Sequence, residues 1–196
     1  LMSNTPLTLA ETASVFAEML AFHHLLSSHE KAISRKLLLA GKVEDMLNTV
    51  VRQVAFHNFE TQFHDHRMSR ELTADEIAEI WMNTQRDALG PAINIDDDYR
   101  PIWSYVPHFV HAPFYVYAYA FGDCLVNALW QRYKSCVQNG NEADFIQQYT
   151  GLLMAGGTER YDLALKRFDL DARQSSFWSL GLDMIGDMID ELESFS

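Results

Sequence analysis

The 196-residue chain has two cysteines, Cys124 and Cys136, too few and too widely spaced for a thiolate metal site or a disulfide framework. That scarcity suits a reducing compartment, and a cytoplasmic protein is expected. Basic residues are also in deficit: 15 Lys and Arg face 27 Asp and Glu, for a net charge of −12. That balance argues against nucleic acid or an anionic membrane surface as a partner held through a broad basic patch. No apolar run approaches the ~18–20 residues that cross a bilayer. No basic segment precedes an apolar core at the start, so no secretory leader is expected. The chain contains no GxSxG, phosphate-binding loop, dinucleotide fingerprint, CxxC or HExxH; "SHEKA" begins like the last and offers no second histidine.

What remains is an ordinary globular balance, 48% hydrophobic and 21% charged, with helical spacing of its apolar residues. The spacing predicts an all-α fold without a convincing sheet. Helices are expected over 9–26, over a shorter stretch ending at Gly41 as a C′ glycine, and over 42–67, with Val43, Met46, Leu47, Val50, Val54 and Phe56 on the apolar side. Thr73 and Glu76 form a helix-start pattern closed by Gly90. Four of the five prolines fall at 91, 101, 107 and 113, marking a long irregular loop of the kind that tends to carry function. Next, "PFYVYAYAFGDCLVNALWQRYKS" reads as a helix with Pro113 in its first turn, and further helices are expected over 142–155, 158–168 and 174–193. The opening "LMSNTPLTLAE" reads as a loop entering a helix, unlike the start of a free-standing domain.

Three groups of polar residues could carry chemistry. Glu11, Ser14 and Glu18 share one face of the first helix. Thr8 and Glu11 fit a capping box, and the stripe is either the solvated side or the wall of a metal site. His57, Glu60 and His64 share a face and could hold a metal, although an exposed polar face is the favoured reading. His23, His24 and His29 are expected at the surface. His108 and His111 stand in the proline-bounded loop, ahead of Tyr115 and Tyr119, whose spacing puts them on one helix face while Tyr117 points elsewhere. Tyrosine stripes of this kind are more often core than catalytic.

"SNTPLTLAETASVFAEML" and "PHFVHAPFYVYAYAFG" resemble the zinc metallopeptidase family of oligoendopeptidase F and thimet oligopeptidase, and the resemblance continues through "GKVEDMLNTVVRQVAFHNFE", "LLMAGGT" and "FWSLGLDMIGDMIDELE". It implies that Glu11 matches the glutamate that joins two HExxH histidines in holding zinc. Glu18 matches an acidic position that orients a zinc-bound histidine. His108 and Tyr119 match positions approaching the substrate from opposite the metal, with Tyr115 as companion and Tyr117 as the alternative. The capping box then becomes the second reading of Glu11. The activity implied is zinc-dependent hydrolysis of short peptides. With no HExxH in the chain, the resemblance makes residues 1–196 the C-terminal helical part of a catalytic domain, expected to be inactive alone and to self-associate through apolar surface stripped of its neighbours.

Two other readings stand beside it. One is a helical scaffold without chemistry. The other is a di-iron carboxylate bundle, which requires an E-x-x-H pair on each of two helices, a pattern the chain lacks.

Overall fold

In a computed structural model, residues 9–195 are described. They are helical with irregular connections, as the apolar spacing predicts, and no strand occurs among them. Eight α-helices follow in order: α1 (Thr12–Ser28), α2 (Ala32–Arg67), α3 (Ala74–Leu89), α4 (His108–His111), α5 (Tyr117–Gln138), α6 (Glu142–Ala155), α7 (Tyr161–Leu165) and α8 (Ser175–Glu193). Among the described residues no helix is long and apolar enough to cross a membrane.

The chain divides into two compact units whose boundaries fall inside α2 and α5. One comprises residues up to 46 and from 121 onward; the other comprises residues 47–120.

In the first unit, Phe16 of α1 lies among Trp130, Tyr133, Phe145 and Tyr149, with ring centroids 4.6–6.4 Å apart. His23 stacks on Trp130 at 4.3 Å and 8° and is half-buried, so the expectation of a surface histidine is corrected. Helices α5 and α8 approach closely at Gly181, where an added Cβ would lie 2.8 Å from the Cys124 carbonyl oxygen. Cys124 and Cys136 are both free thiols.

In the second unit, Phe56, Phe59, Trp81, Met82 and Val116 form the core, and Trp103 and Phe109 pack on it from the proline-rich segment. That segment is less irregular than expected. It holds short 3-10 turns at Asp97–Tyr99 and Ile102–Tyr105, then α4. The Trp81 indole N–H donates to the Tyr99 carbonyl at 3.0 Å, and the two rings stack, which pins the segment to α3. The start of α3 carries the expected capping box, with Thr73 and Glu76 bonding each other's backbone amides.

Three boundaries differ from expectation. The helix predicted to stop at Gly41 runs unbroken through it as α2, because a mid-helix glycine costs only about 1 kcal/mol, which the helix tolerates. Of its expected apolar side, Leu47 and Val54 are exposed while Val43, Met46, Val50 and Phe56 are buried. Pro113 opens no helix: it lies in the turn between α4 and α5, and α5 begins at Tyr117. Helix α1 starts at Thr12 with Glu11 at its N-cap and no side-chain cap bond, so Glu11 does not occupy the third helical position a capping box needs. Thr8, the other half of that box, lies outside the described residues.

Candidate functional site

The chemistry-bearing residues fall into two groups, one in each unit. In the first unit, Glu11, Ser14 and Glu18 are all exposed along one side of α1. The Ser14 hydroxyl donates to the Glu11 carbonyl at 3.0 Å and reaches its carboxylate Oε2 at 3.3 Å. A Cβ added at Gly122 of α5 would stand 4.0 Å from the Glu11 Cβ, so a small residue flanks this carboxylate. A groove of about 280 Å³ lined by Ala10, Thr12, Ala13, Leu152, Leu153 and Gly156 brings the "LLMAGGT" turn beside the same helix start.

Glu18 has a partner the sequence did not announce. The Lys42 ammonium donates to its Oε1 at 2.7 Å, with the lysine side chain 6% exposed and the glutamate side chain 59%. A buried ammonium needs such a counter-charge, since an unpaired one would cost several kcal/mol. Behind this pair, Asp123 is buried and donated to by Asn127 at 3.1 Å; burial pushes its carboxyl up to about 6, against the pull of Lys42 and Asn127. Burial likewise pushes the Cys124 thiol up to about 12, with the Asp123 charge adding to it, which makes it a poor nucleophile.

In the second unit, His108 at the start of α4 and Tyr119 in the first turns of α5 meet: the Tyr119 hydroxyl lies 3.1 Å from His108 Nε2, in a hydrogen bond whose direction follows the imidazole tautomer. Tyr115 completes the group, stacked on the His108 ring at 5.5 Å and 25° and lying 5.3 Å from the Tyr119 ring. All three are half-buried. Tyr115 precedes α5, so the helical spacing was the wrong reason for pairing it with Tyr119; the turn after Pro113 brings it there instead. Tyr117 turns to His57, 5.8 Å away.

The His57–Glu60–His64 face is also not the exposed polar face expected. Glu60 is 1% exposed, and its Oε1 accepts the backbone N–H of Phe114 at 2.6 Å. The flanking histidine rings pack on the Phe114 ring, at 6.5 Å for His57 and 4.9 Å for His64. The i, i+3, i+7 spacing was a visible signal; that it grips a backbone was not.

Among the described residues no group of three or more His, Cys, Asp or Glu side chains could hold a metal ion. The described residues therefore do not fit a complete zinc site. Glu11 offers one exposed carboxylate of the chemistry zinc accepts.

Comparison with known proteins places these observations. The chain is 28% identical over 191 residues to the oligopeptidase PepF of Bacillus subtilis, covering 97% of this chain and 28% of that protein. It is 28% identical over 151 residues to an oligoendopeptidase F homolog of Borreliella burgdorferi, covering 76% of this chain and 25% of the homolog. A crystal structure of a Chlamydophila abortus protein superimposes with a TM-score of 0.84 at 28% identity, over 98% of this chain and 32% of that one. The chain thus spans about a quarter of the length of the curated relatives it matches. The model of peptidase family M3 matches residues 1–184. By that match over nearly its whole length, the chain belongs to peptidase family M3, among relatives of the oligoendopeptidase F type.

Proposed function

We propose that the protein to which this chain belongs is a zinc-dependent endopeptidase acting on short peptides, and that residues 1–196 are the C-terminal helical part of its catalytic domain. The observation that carries the reading is the 3.1 Å approach of the Tyr119 hydroxyl to His108 Nε2, with Tyr115 stacked beside them. Three hydrogen-bonding groups held together and half-buried suit the task of stabilising a tetrahedral oxyanion. Such donors act best when fixed in advance in a partly desolvated place, so that nothing has to reorganise during the reaction. Tyr119 is assigned as oxyanion donor, His108 as the group that orients it by donating from Nε2 to its oxygen, and Tyr115 as the second hydroxyl.

Glu11 is assigned as the single zinc ligand this chain supplies, and Glu18 as the carboxylate that orients a zinc-bound histidine. Lys42 holds one oxygen of Glu18, which fixes the carboxylate and leaves the other oxygen for that role. Zinc, when bound, lowers the pKa of its water and polarises the scissile carbonyl. Two further ligands and a general base are required, and no HExxH is present to supply them. The 196-residue chain by itself is therefore expected to hydrolyse no peptide; activity from it that a chelator removes would overturn that part of the proposal.

The decisive test is Tyr119→Phe in the protein carrying this chain, assayed on short peptides. Loss of an oxyanion donor is expected to lower kcat by about 10²–10³ with little change in KM. Unchanged kcat would remove Tyr119 from the reaction.

A further inference from the structure

The cluster of His108, Tyr115 and Tyr119 straddles a turn. His108 lies before it on α4, Tyr119 beyond it on α5, and residues 112–116 reverse the chain between them. Whatever sets this turn sets the 3.1 Å contact. At its centre stands Phe114, with φ at +59°, in the left-handed region that a bulky side chain enters at a cost of roughly 1–2 kcal/mol. Such a conformation persists only where surrounding groups hold it.

Glu60 holds it. Its Oε1 accepts the Phe114 backbone N–H at 2.6 Å. The carboxyl is 1% exposed, and no ion pair among the described residues includes it. Its Oε2 is equally buried and meets no hydrogen-bond donor among the described residues. Burying a carboxyl group without a cation is costly, and packing alone would be served better by an apolar residue of the same volume. What an apolar residue cannot provide is an acceptor for a backbone amide in a turn that has no helical or sheet partner for it. His57 and His64, one turn either side of Glu60, press on the Phe114 ring from the same helix face. From Phe114 the chain continues directly to Tyr115, whose N–H bonds the Ala112 carbonyl at 3.1 Å, and then into α5.

We propose that Glu60 is a positioning residue for the His108–Tyr115–Tyr119 cluster, fixing its geometry through the Phe114 amide. The role is that of an acceptor, not of a charge. The catalytic consequence rests on the peptidase reading above; the geometric one does not.

Three substitutions separate the acceptor from the charge and the volume. Glu60→Gln keeps the acceptor and loses the charge. Glu60→Asp keeps the charge and draws the acceptor back by one carbon. Glu60→Met keeps the length and has no acceptor. In the 196-residue chain, hydrogen exchange at the Phe114 amide and the NMR contact between His108 and Tyr119 are the readouts, with far-ultraviolet circular dichroism to verify folding. Glu60→Gln is expected to match the wild type in both. Glu60→Asp and Glu60→Met are expected to speed Phe114 exchange at least about ten-fold, the effect of losing ~1.4 kcal/mol of protection, and to lose the His108–Tyr119 contact. In the protein carrying this chain, kcat should fall about 10²-fold in those two variants with KM little changed, as a misplacement near 1 Å does.

A variant that fails to fold is decided by the remaining ones. A Glu60→Gln protein that loses the contact, or a folded Glu60→Asp or Glu60→Met protein that keeps it, overturns the proposal. If the contact behaves as expected and no variant or wild-type protein cleaves peptides, the positioning role stands and the peptidase reading falls.

Discussion

The carboxylate face of α1 and the histidine–tyrosine cluster of the second unit are built in opposite ways. Glu11 is exposed, and its carboxylate accepts from Ser14 of its own first turn. His108, Tyr115 and Tyr119 are half-buried, in mutual contact, and backed by a turn whose central amide is gripped by a buried carboxyl. In the proposed reading the cluster is complete within this chain, whereas the Glu11 carboxylate is one ligand of a set. A donor group must be rigid before the substrate arrives, whereas a metal ligand can be exposed until the ion fixes it. The contrast is the one that the two proposed tasks call for.

The largest effect expected from this comparison is at Glu11. In the protein carrying this chain, Glu11→Gln should abolish stoichiometric zinc by elemental analysis and reduce peptidase activity at least as far as Tyr119→Phe does, about 10²–10³. It should leave the His108–Tyr119 contact unchanged. Zinc retained at full stoichiometry would withdraw the ligand role from Glu11 without touching the cluster.

A smaller effect tests the scaffold behind the carboxylate face. Gly181 of α8 faces Cys124 of α5, two residues from the Gly122 that flanks Glu11. A Cβ there would meet the Cys124 carbonyl oxygen at 2.8 Å and its Cα at 3.1 Å, backbone atoms that cannot swing aside, and the Gly181 carbonyl also accepts from the buried Asn127 amide at 3.4 Å. Gly181→Ala should destabilise by ~1–3 kcal/mol, read as a fall in midpoint in thermal unfolding. Gly186, on the same helix, has nothing within 4 Å of an added Cβ, so Gly186→Ala should stabilise by about 0.5–1 kcal/mol. Equal effects at the two glycines would mean that the α5–α8 approach is not tight.

The helical class, the capping box of α3 and the positions of α6 and α8 were legible from apolar spacing and end signals, because these are local properties. The continuity of α2 through Gly41 was not, since a glycine's helix penalty is small and the packing that overrides it is remote in sequence. The site divides in the same way. Motif resemblance pointed to His108 and Tyr119, helical spacing chose Tyr115 over Tyr117 for a reason the structure does not bear out, and the structure brings His108, Tyr115 and Tyr119 together. Lys42 escaped, and Glu60 was noticed only as a metal-ligand type, because their partners, Glu18 and the Phe114 amide, lie 24 and 54 residues away, and nothing local distinguishes a buried charged residue from a solvated one. The histidine flanks of Glu60 were noticed as ligand types, and their use as a wall for a phenylalanine ring could only be seen in three dimensions.

The smallest expected effect concerns what anchors the carboxylate-bearing helix from behind. His23, on α1, stacks on Trp130, and burial, followed by the charges of Lys134 and Lys42, lowers its imidazole to about 4 from the ordinary 6.5. The unfolded chain therefore binds a proton there more readily than the folded one. Stability from this group is present above pH 6.5 and is lost as pH falls from 6.5 toward 4. Because the ring is partly exposed, solvent screens the interaction and the shift overstates the energy. His23→Phe keeps a flat ring on Trp130 and removes the proton. The difference in unfolding midpoint between variant and wild type should be flat above pH 7 and move in favour of the variant below 6.5, reaching about 2–4 °C, as ~1 kcal/mol does in a domain of this size. Asp123, raised to about 6 by burial, contributes with opposite sign over an overlapping range, losing stability as pH rises. It is present in both proteins and cancels in the difference. A difference that stays constant from pH 7.5 to 4.5 would show that His23 stacks without being desolvated, and that α1 is held by Phe16 and its aromatic neighbours alone.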